Sequence, residues 1–214
     1  MTAPERGFPD AEFKARARNA QALMAEAGLS ALLLTTEPEI RYYTGFLTRF
    51  WESPTRPWYV VLPARGDPIA VIPSIGAHLM GQTGETDIRT GRGADLSDDG
   101  VGILADTLRE VTPLDGHVGL ADAMESHVRM PRADLQTLET ALGPRTLVSD
   151  GQITRRLRLI KSEAEIANIR VAAGIADRAF DRVADIAQPG TPLSTVFRSF
   201  QALCLTEGAD WVPY

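Results

Sequence analysis

The sequence predicts an α/β fold, in which a mixed β-sheet is flanked by helices and followed by long helices. Short apolar runs alternate with helical periodicity over the first 150 residues, as in sheets covered by helices. Two of these runs are separated only by the turn at 64–67, which predicts a hairpin and therefore a sheet that is not purely parallel. Beyond residue 161 only helical periodicity remains. The chain thus divides into a first domain at 1–150, a hinge at 151–161 and a helical segment at 162–214.

The first elements are a helix, a buried strand and a short helix. Asp10 is a residue type that caps helices, and Gly28 is one that ends them. The apolar run 30–36 is too short for a helix and predicts a strand that is covered on both faces. Pro38 suits the first turn of the next helix, and Gly45 suits its end.

The rest of the first domain consists of one long loop and several short elements. The loop at 46–58 is rich in aromatic and basic residues, and strands at 58–63 and 68–73 form the predicted hairpin. The remaining predicted elements are a short helix at 75–80, a weak strand at 87–90, a helix at 101–111, a strand at 117–121, a helix at 131–143 and a strand at 145–149.

The helical segment opens with a capping box. The Ser162 hydroxyl can accept from the amide three residues on, and the Glu165 carboxylate can return to the Ser162 amide. Apolar residues then recur with the spacing of a helix at 166, 169, 173, 176, 180, 183 and 187. The pattern predicts one continuous helix of about six turns, whose apolar stripe needs a partner surface.

Composition excludes several classes of function. Of the 214 residues, 44% are hydrophobic and 23% are charged, which is typical of globular proteins with a good apolar core. The net charge of −6 argues against nucleic acid as a partner, because phosphate binding needs clustered cations. The basic residues at 155, 156, 158 and 161 are interleaved with apolar ones and are interpreted as the solvated face of a connector.

The sequence further predicts a cytoplasmic protein. No apolar run reaches the roughly 18 residues of a membrane span, and the first ten residues are too polar for a signal peptide. The lone Cys204 cannot form an internal disulfide, which fits a reducing compartment. Because Cys204 lies in a helical apolar pattern, we interpret it as a small core residue.

The residues give little sign of catalytic chemistry. The Glu125-Ser126-His127 segment and the Asp98-Asp99 pair are the close groupings of potential metal ligands. Neither has the spacing that places two ligands on one helix face, so both are predicted to be surface or capping residues. No Gly-x-Ser-x-Gly nucleophile elbow is present. We assign no catalytic residue and no metal ligand to this chain.

The loop at 46–58 is the best candidate for a binding role. Its aromatic and basic side chains are Phe46, Arg49, Phe50, Trp51, Arg56 and Trp58. Aromatic faces combined with arginine suit a small ligand that carries a carboxylate or an amide. Two other interpretations stay open: the aromatic residues fill a gap in the core, or they form a contact between subunits.

Three motifs carry a resemblance to a known family. They are Met-x-x-x-Gly-Leu at 24–29, Ile-x-Tyr-x-Thr-Gly-Phe at 40–46 and Arg-x-x-Lys-Ser-x-x-Glu-Ile at 158–166. Together they resemble the N-terminal domain, and the entry into the catalytic domain, of the creatinase, prolidase and aminopeptidase P superfamily. The resemblance covers essentially the whole chain.

The resemblance implies a two-domain metallohydrolase. The catalytic domain of the family has the "pita-bread" fold and holds two divalent metal ions (Mn, Co or Zn) with Asp, Asp, His, Glu and Glu ligands. Those ligands lie beyond the first helices of that domain, so 162–214 is expected to be its truncated start. The chain alone is therefore expected to hold no cofactor and to be inactive.

The resemblance also implies a role for the loop. In some members the N-terminal domain of one subunit of a dimer lends aromatic and arginine side chains to its neighbour's active site. By position, the substrate-binding residues here are Arg49, Phe50, Trp51 and Arg56, although the segment 53–57 departs from the family pattern. The implied function is that of an Xaa-Pro dipeptidase or aminopeptidase acting on a small peptide or amide. The alternatives are a non-catalytic peptide- or protein-binding module and a creatinase-like C–N hydrolase.

Overall fold

The computed structural model describes residues 6–53, 56–85, 87–92, 95 and 97–212. They fall into two compact units, one at 7–160 and one formed by 161–212 together with Arg6. The larger unit contains the sheet, and the smaller unit is helical.

Within the described residues, six strands form one sheet in the larger unit. The strands are β1 (Leu29–Leu34), β2 (Tyr59–Pro63), β3 (Ile69–Pro73), β4 (Ile88–Gly91), β5 (His117–Leu120) and β6 (Thr146–Ser149). Their order across the sheet is β4-β3-β2-β1-β5-β6. The β2–β3 hairpin and the β1–β2 pair are antiparallel, whereas β3–β4, β1–β5 and β5–β6 are parallel. The predicted hairpin and the predicted mixed sheet are confirmed.

The helices of the larger unit are α1 (Asp10–Ala27), α2 (Glu37–Thr44), α3 (Ala77–Gly81), α4 (Val101–Val111), α5 (Arg132–Leu142) and α6 (Ile153–Leu159). The cap of α1 is Pro9 and not Asp10 as predicted, because the chain is still extended at Pro9 and Asp10 is already helical. The end of α1 is as predicted, with Gly28 in the left-handed conformation at a φ of 69°. Helix α6 lies inside the stretch that we interpreted as a hinge, and its Ile153 is buried.

Side chains on the two faces of the sheet enter two separate cores. Along β1, Leu32 and Leu34 face the core that also holds α1 residues, because successive side chains of a strand alternate between faces. Ala31 and Leu33 face the opposite core, which α4 and α5 cover. The sheet is therefore buried on both sides, as the continuous apolar run of β1 predicts.

Over its described residues, the smaller unit contains three helices. They are α7 (Glu163–Asp181), α8 (Val183–Ile186) and α9 (Leu193–Thr206). The predicted capping box is confirmed: the Glu165 amide donates to Ser162 Oγ at 3.2 Å, and the Ser162 amide donates to Glu165 Oε2 at 2.8 Å. The prediction of one continuous helix is wrong, because α7 ends at Asp181 and Arg182 separates it from α8.

The core of the smaller unit is small. Ala179, Leu203 and Cys204 are buried where α7 meets α9, which confirms that Cys204 is a core residue. Large apolar side chains of this unit remain exposed, namely Ile169, Phe180, Leu193, Phe197, Leu205 and Trp211. Within the described ranges, no helix combines the length and the apolar character needed to cross a bilayer.

Candidate functional site

The candidate site is the loop between α2 and β2, and it begins where α2 ends. Gly45 adopts the left-handed conformation at a φ of 76°, and its amide donates to the Arg41 carbonyl at 2.9 Å. A Cβ at Gly45 would lie 2.7 Å from Cζ of Phe13 on α1. Glycine is therefore required here both by the turn and by the close approach of α1. The turn directs Phe46 into the core, where it is fully buried.

Helix α2 is itself fixed by a buried capping box. The Thr36 hydroxyl donates to Glu39 Oε2 at 2.8 Å, and the same carboxylate oxygen accepts the Thr36 amide at 3.1 Å. Burial raises the pKa of Glu39, while its hydrogen bonds with Thr36 oppose that shift. At the other end of α2, the Tyr43 hydroxyl lies 3.2 Å from Thr154 Oγ1 of α6. The start of the loop is thus anchored on both sides.

A buried arginine joins α1 to α2. The Arg16 guanidinium lies 4.3 Å from the ring centroid of Phe8 and 4.4 Å from that of Tyr42. Its Nη1 donates to the Tyr42 carbonyl at 2.9 Å, and its Nη2 contacts the Glu12 carboxylate at 3.3 Å. Tyr42, the tyrosine of the Ile-x-Tyr-x-Thr-Gly-Phe motif, therefore helps to hold α2 against α1.

The aromatic side chains of the loop form one cluster around Trp58. Its indole ring lies 5.3 Å from Phe46, 6.0 Å from Trp51 and 6.2 Å from Phe50, measured between ring centroids. Phe50 is stacked on Trp58 with an angle of 19° between the two planes. These separations are within the range of attractive aromatic pairs, so the loop is a packed element.

The cluster extends from the core to solvent. Phe46 and Trp58 are buried, which confirms the core-filling interpretation for these two residues. Trp51 is half-buried, and Phe50 is 44% exposed. Phe50 is therefore the exposed member of the cluster, and Trp51 is a half-buried member that packs against the core.

The two predicted arginines lie before and after Phe50 and Trp51 in the sequence of the loop. Arg49 is exposed and opens a short 3₁₀ turn, Arg49–Glu52, whose first residues are capped by the Thr48 hydroxyl. Arg56 is half-buried, and its side chain makes no hydrogen bond or ion pair with the described residues. The loop thus combines an exposed phenylalanine with two arginines that are not fully buried.

Sequence reasoning missed Arg129, the residue that fastens this loop. It lies between β5 and α5, and its Nη1 donates to the Arg56 carbonyl at 2.7 Å while its Nη2 donates to the Ser53 carbonyl. Its guanidinium carbon lies 5.1 Å from the centroid of the Trp51 ring. No local motif marks Arg129, because its partners are 73 and 76 positions away in sequence.

The charge of Arg129 is partly shielded from solvent. Burial lowers the pKa of Arg129, and nearby Tyr59 opposes that shift. Burial also raises the pKa of the Tyr59 phenol, and Asp134 adds to this effect. A guanidinium remains protonated under all ordinary conditions, so Arg129 acts as a permanent cation behind the loop.

The other groupings considered as metal ligands have ordinary roles. Asp98 Oδ1 accepts the Gly102 amide at 3.0 Å and so caps the start of α4. Glu125, Ser126 and His127 are exposed. Among the described residues, no three His, Cys, Asp or Glu side chains converge in a way that could hold a metal ion. The donor set of a two-metal site is therefore not found in this part of the protein.

Residues 16–160 match the family model described as the creatinase/prolidase N-terminal domain. The chain therefore belongs to the creatinase/prolidase N-terminal domain family. The match contains α2 and the whole aromatic loop, as well as Arg129.

Curated relatives and solved structures agree with this assignment. The probable dipeptidase PepE of Mycobacterium tuberculosis is 30% identical over 208 residues, which cover 96% of this chain and 52% of that protein. The crystal structure of dipeptidase PepE from Mycobacterium ulcerans superposes with a TM-score of 0.74 at 25% identity, covering 97% of this chain and 53% of that one. A prolidase from Thermococcus sibiricus shares the fold, with a TM-score of 0.79 at 20% identity over 94% of this chain and 52% of its own. The chain spans about half the length of the curated relatives it matches.

Proposed function

We propose that this chain is the N-terminal portion of an Xaa-Pro dipeptidase- or aminopeptidase-like metallohydrolase. The observation that carries the proposal is the loop after the Ile-x-Tyr-x-Thr-Gly-Phe motif, which is anchored in the core by Phe46 and Trp58, exposes Phe50 and leaves Trp51 half-buried. Family membership and the similarity to dipeptidases support it. In this proposal the first domain is 1–150, the hinge is 151–161 and 162–214 begins the catalytic domain.

The loop would supply substrate contacts. The Phe50 and Trp51 rings would cover the apolar part of a dipeptide, such as a proline ring. Arg49 or Arg56 would bind its carboxylate, for which a guanidinium has matching geometry. As the resemblance implies, the loop would act on the active site of the neighbouring subunit in a homodimer. The substrate class is a small peptide or amide.

The metal chemistry would belong to the rest of the full-length protein. The resemblance implies two divalent ions, Mn, Co or Zn, which would be held outside the described residues and would supply the activation of water for amide hydrolysis. Because the described residues contain no fitting donor set, no hydrolytic step is assigned to them. We propose a cytoplasmic location, since the buried Cys204 is a free thiol of the kind that a reducing compartment maintains.

Hydrolysis assays with Xaa-Pro dipeptides test the proposal. The full-length protein should cleave them when supplied with Mn, Co or Zn, and the 214-residue chain alone should not. Metal-dependent cleavage by the chain alone would contradict our assignment of the metal site to the rest of the protein. The full-length protein is also assayed with creatine, each time with all three metals. Inactivity toward both Xaa-Pro dipeptides and creatine would instead favour a peptide-binding module.

A further inference from the structure

Arg129 connects three parts of the larger unit that are remote in sequence. Its amide donates to Thr35 Oγ1 at 3.0 Å, and Thr35 is a buried residue directly after β1. The backbone of Arg129 is therefore fixed to the central strand of the sheet. Its side chain extends from this fixed point to the aromatic loop.

The guanidinium uses both its edge and its face. Along the edge, two separate nitrogens donate to the carbonyls of Ser53 and Arg56. The face lies over the Trp51 ring. A planar fork with several donors can hold two carbonyls and one aromatic ring at once, which a lysine ammonium cannot do in the same geometry.

The contacts of Arg129 are directed at the loop and not at a carboxylate. Among the described residues it forms no ion pair, so its charge is compensated by backbone carbonyls and by the π-face of Trp51. An arginine used only for surface solubility would not be half-buried against carbonyl groups. This arrangement indicates that its role is to define the shape of the loop.

We propose that Arg129 is a positioning residue that fixes the Trp51 ring relative to Trp58 and holds the Ser53 and Arg56 backbone in one arrangement. The positioning role of Arg129 does not depend on the function proposed for the loop. The effect of Arg129 on catalysis rests on that proposed function. Arg129 would thereby set the spacing between the outward aromatic surface and the Arg56 side chain. That spacing would define the size of the side chains that a bound dipeptide can carry.

The first test measures the geometry of the two indoles in the 214-residue chain. Trp51 and Trp58 lie 6.0 Å apart at 50°, so their transitions should couple and give an exciton couplet in the ultraviolet circular dichroism spectrum. Trp51→Phe removes one of the two indoles, so the difference between its spectrum and that of the wild type gives the contribution of the pair. Arg129→Ala should lose most of that couplet, and Arg129→Lys should retain part of it.

Arg145 provides a matched control. Its guanidinium also donates to backbone carbonyls, at 2.8 Å to Thr112 and 3.1 Å to Arg109, but it lies away from the loop. Arg145→Ala should lower the melting temperature while leaving the couplet unchanged. If Arg129→Ala does not fold, Arg129→Lys carries the test, with its helical signal as the check on folding. A couplet that is unchanged in a folded Arg129 variant overturns the proposal.

The second test separates this proposal from the proposed function. In the full-length protein, Arg129→Ala should raise KM for an Xaa-Pro dipeptide by about tenfold with a smaller effect on kcat, because the loop is misplaced while the chemistry is untouched. If the couplet is lost and the kinetics are unchanged, positioning stands and the substrate role of the loop is wrong. If the couplet is intact and KM rises, positioning is wrong, because the loop is then in place and the rise in KM has another cause.

Discussion

The indole of Trp58 lies directly over Gly76, so close that a side chain on that glycine has no room. A Cβ at position 76 would lie 2.3 Å from Cζ3 and 2.5 Å from Cη2 of Trp58. The φ of Gly76 is −93°, so the requirement for glycine is steric and not conformational. The contact joins the turn after β3 to the centre of the aromatic cluster, and it restricts the position of the Trp58 ring.

Gly76→Ala should therefore destabilise the chain. Because Trp58 is buried and cannot move aside freely, we expect a loss of about 1–3 kcal/mol in the free energy of unfolding, measured by denaturant titration. Gly81→Ala is the matched control, since Gly81 lies in α3 and a Cβ there would meet only Ile88 Cδ1, at 3.8 Å. That control should be neutral or stabilising by up to about 1 kcal/mol. Equal effects of both substitutions would show that Trp58 is not held as described.

The stability of the larger unit should depend on the ionisation of Glu85. Burial, with a smaller contribution from Asp67, raises the pKa of Glu85 from 4.5 to about 7. A carboxyl whose pKa is raised on folding favours the folded state below pH 4.5, and this contribution is lost as the pH rises through about 7. Relative to wild type, Glu85→Gln should therefore become progressively more stable between those two pH values.

Glu110 provides the opposite case for the same measurement. Its hydrogen bonds with Arg89 lower its pKa, so its contribution is present at higher pH and is lost on acidification. Glu110→Gln should become less stable relative to wild type as the pH rises. Unfolding titrations across the pH range would contradict this account if both variants followed the wild type in parallel.

The exposed apolar side chains of α9 should drive association of the chain. Leu193 and Phe197 are 67% and 62% exposed and are four positions apart, so they lie on one face of the helix. Exposed apolar surface of this kind favours contact with other molecules. Replacing both with serine should weaken self-association by about tenfold or more in sedimentation experiments over a range of concentrations.

Ile75 is a suitable control for that experiment, since it is 65% exposed but belongs to the larger unit. Ile75→Ser should leave the association unchanged. A wild-type chain that sediments as a monomer at every concentration would contradict the prediction.

The parts of the fold that could be predicted are those that depend on residues close together in the sequence. The apolar run of β1, the turn of the β2–β3 hairpin and the Ser162–Glu165 capping box each depend on residues close in sequence. The break after Asp181 was missed because apolar residues continue at helical spacing on either side of Arg182, while the backbone of Arg182 leaves the helix.

The candidate site was predictable only in part for the same reason. The aromatic composition of the loop left a binding role, a core-filling role and a subunit contact open, and it could not show that Phe46 and Trp58 are buried while Phe50 is exposed. The contacts of Trp58 with Gly76 and of Trp51 with Arg129 likewise join segments remote in sequence. Packing between distant segments leaves no periodic signal.

The most direct test of the central claim is the kinetics of loop variants in the full-length protein. Trp51→Ala and Arg56→Ala should each lower kcat/KM for an Xaa-Pro dipeptide by about tenfold or more, and should affect substrate use more than melting temperature, because both side chains are only half-buried. Arg65→Ala is the control, an exposed arginine in the β2–β3 turn that should leave kcat/KM unchanged. Unchanged kinetics together with a lowered melting temperature would contradict the account and would make these residues part of the core or of a subunit contact.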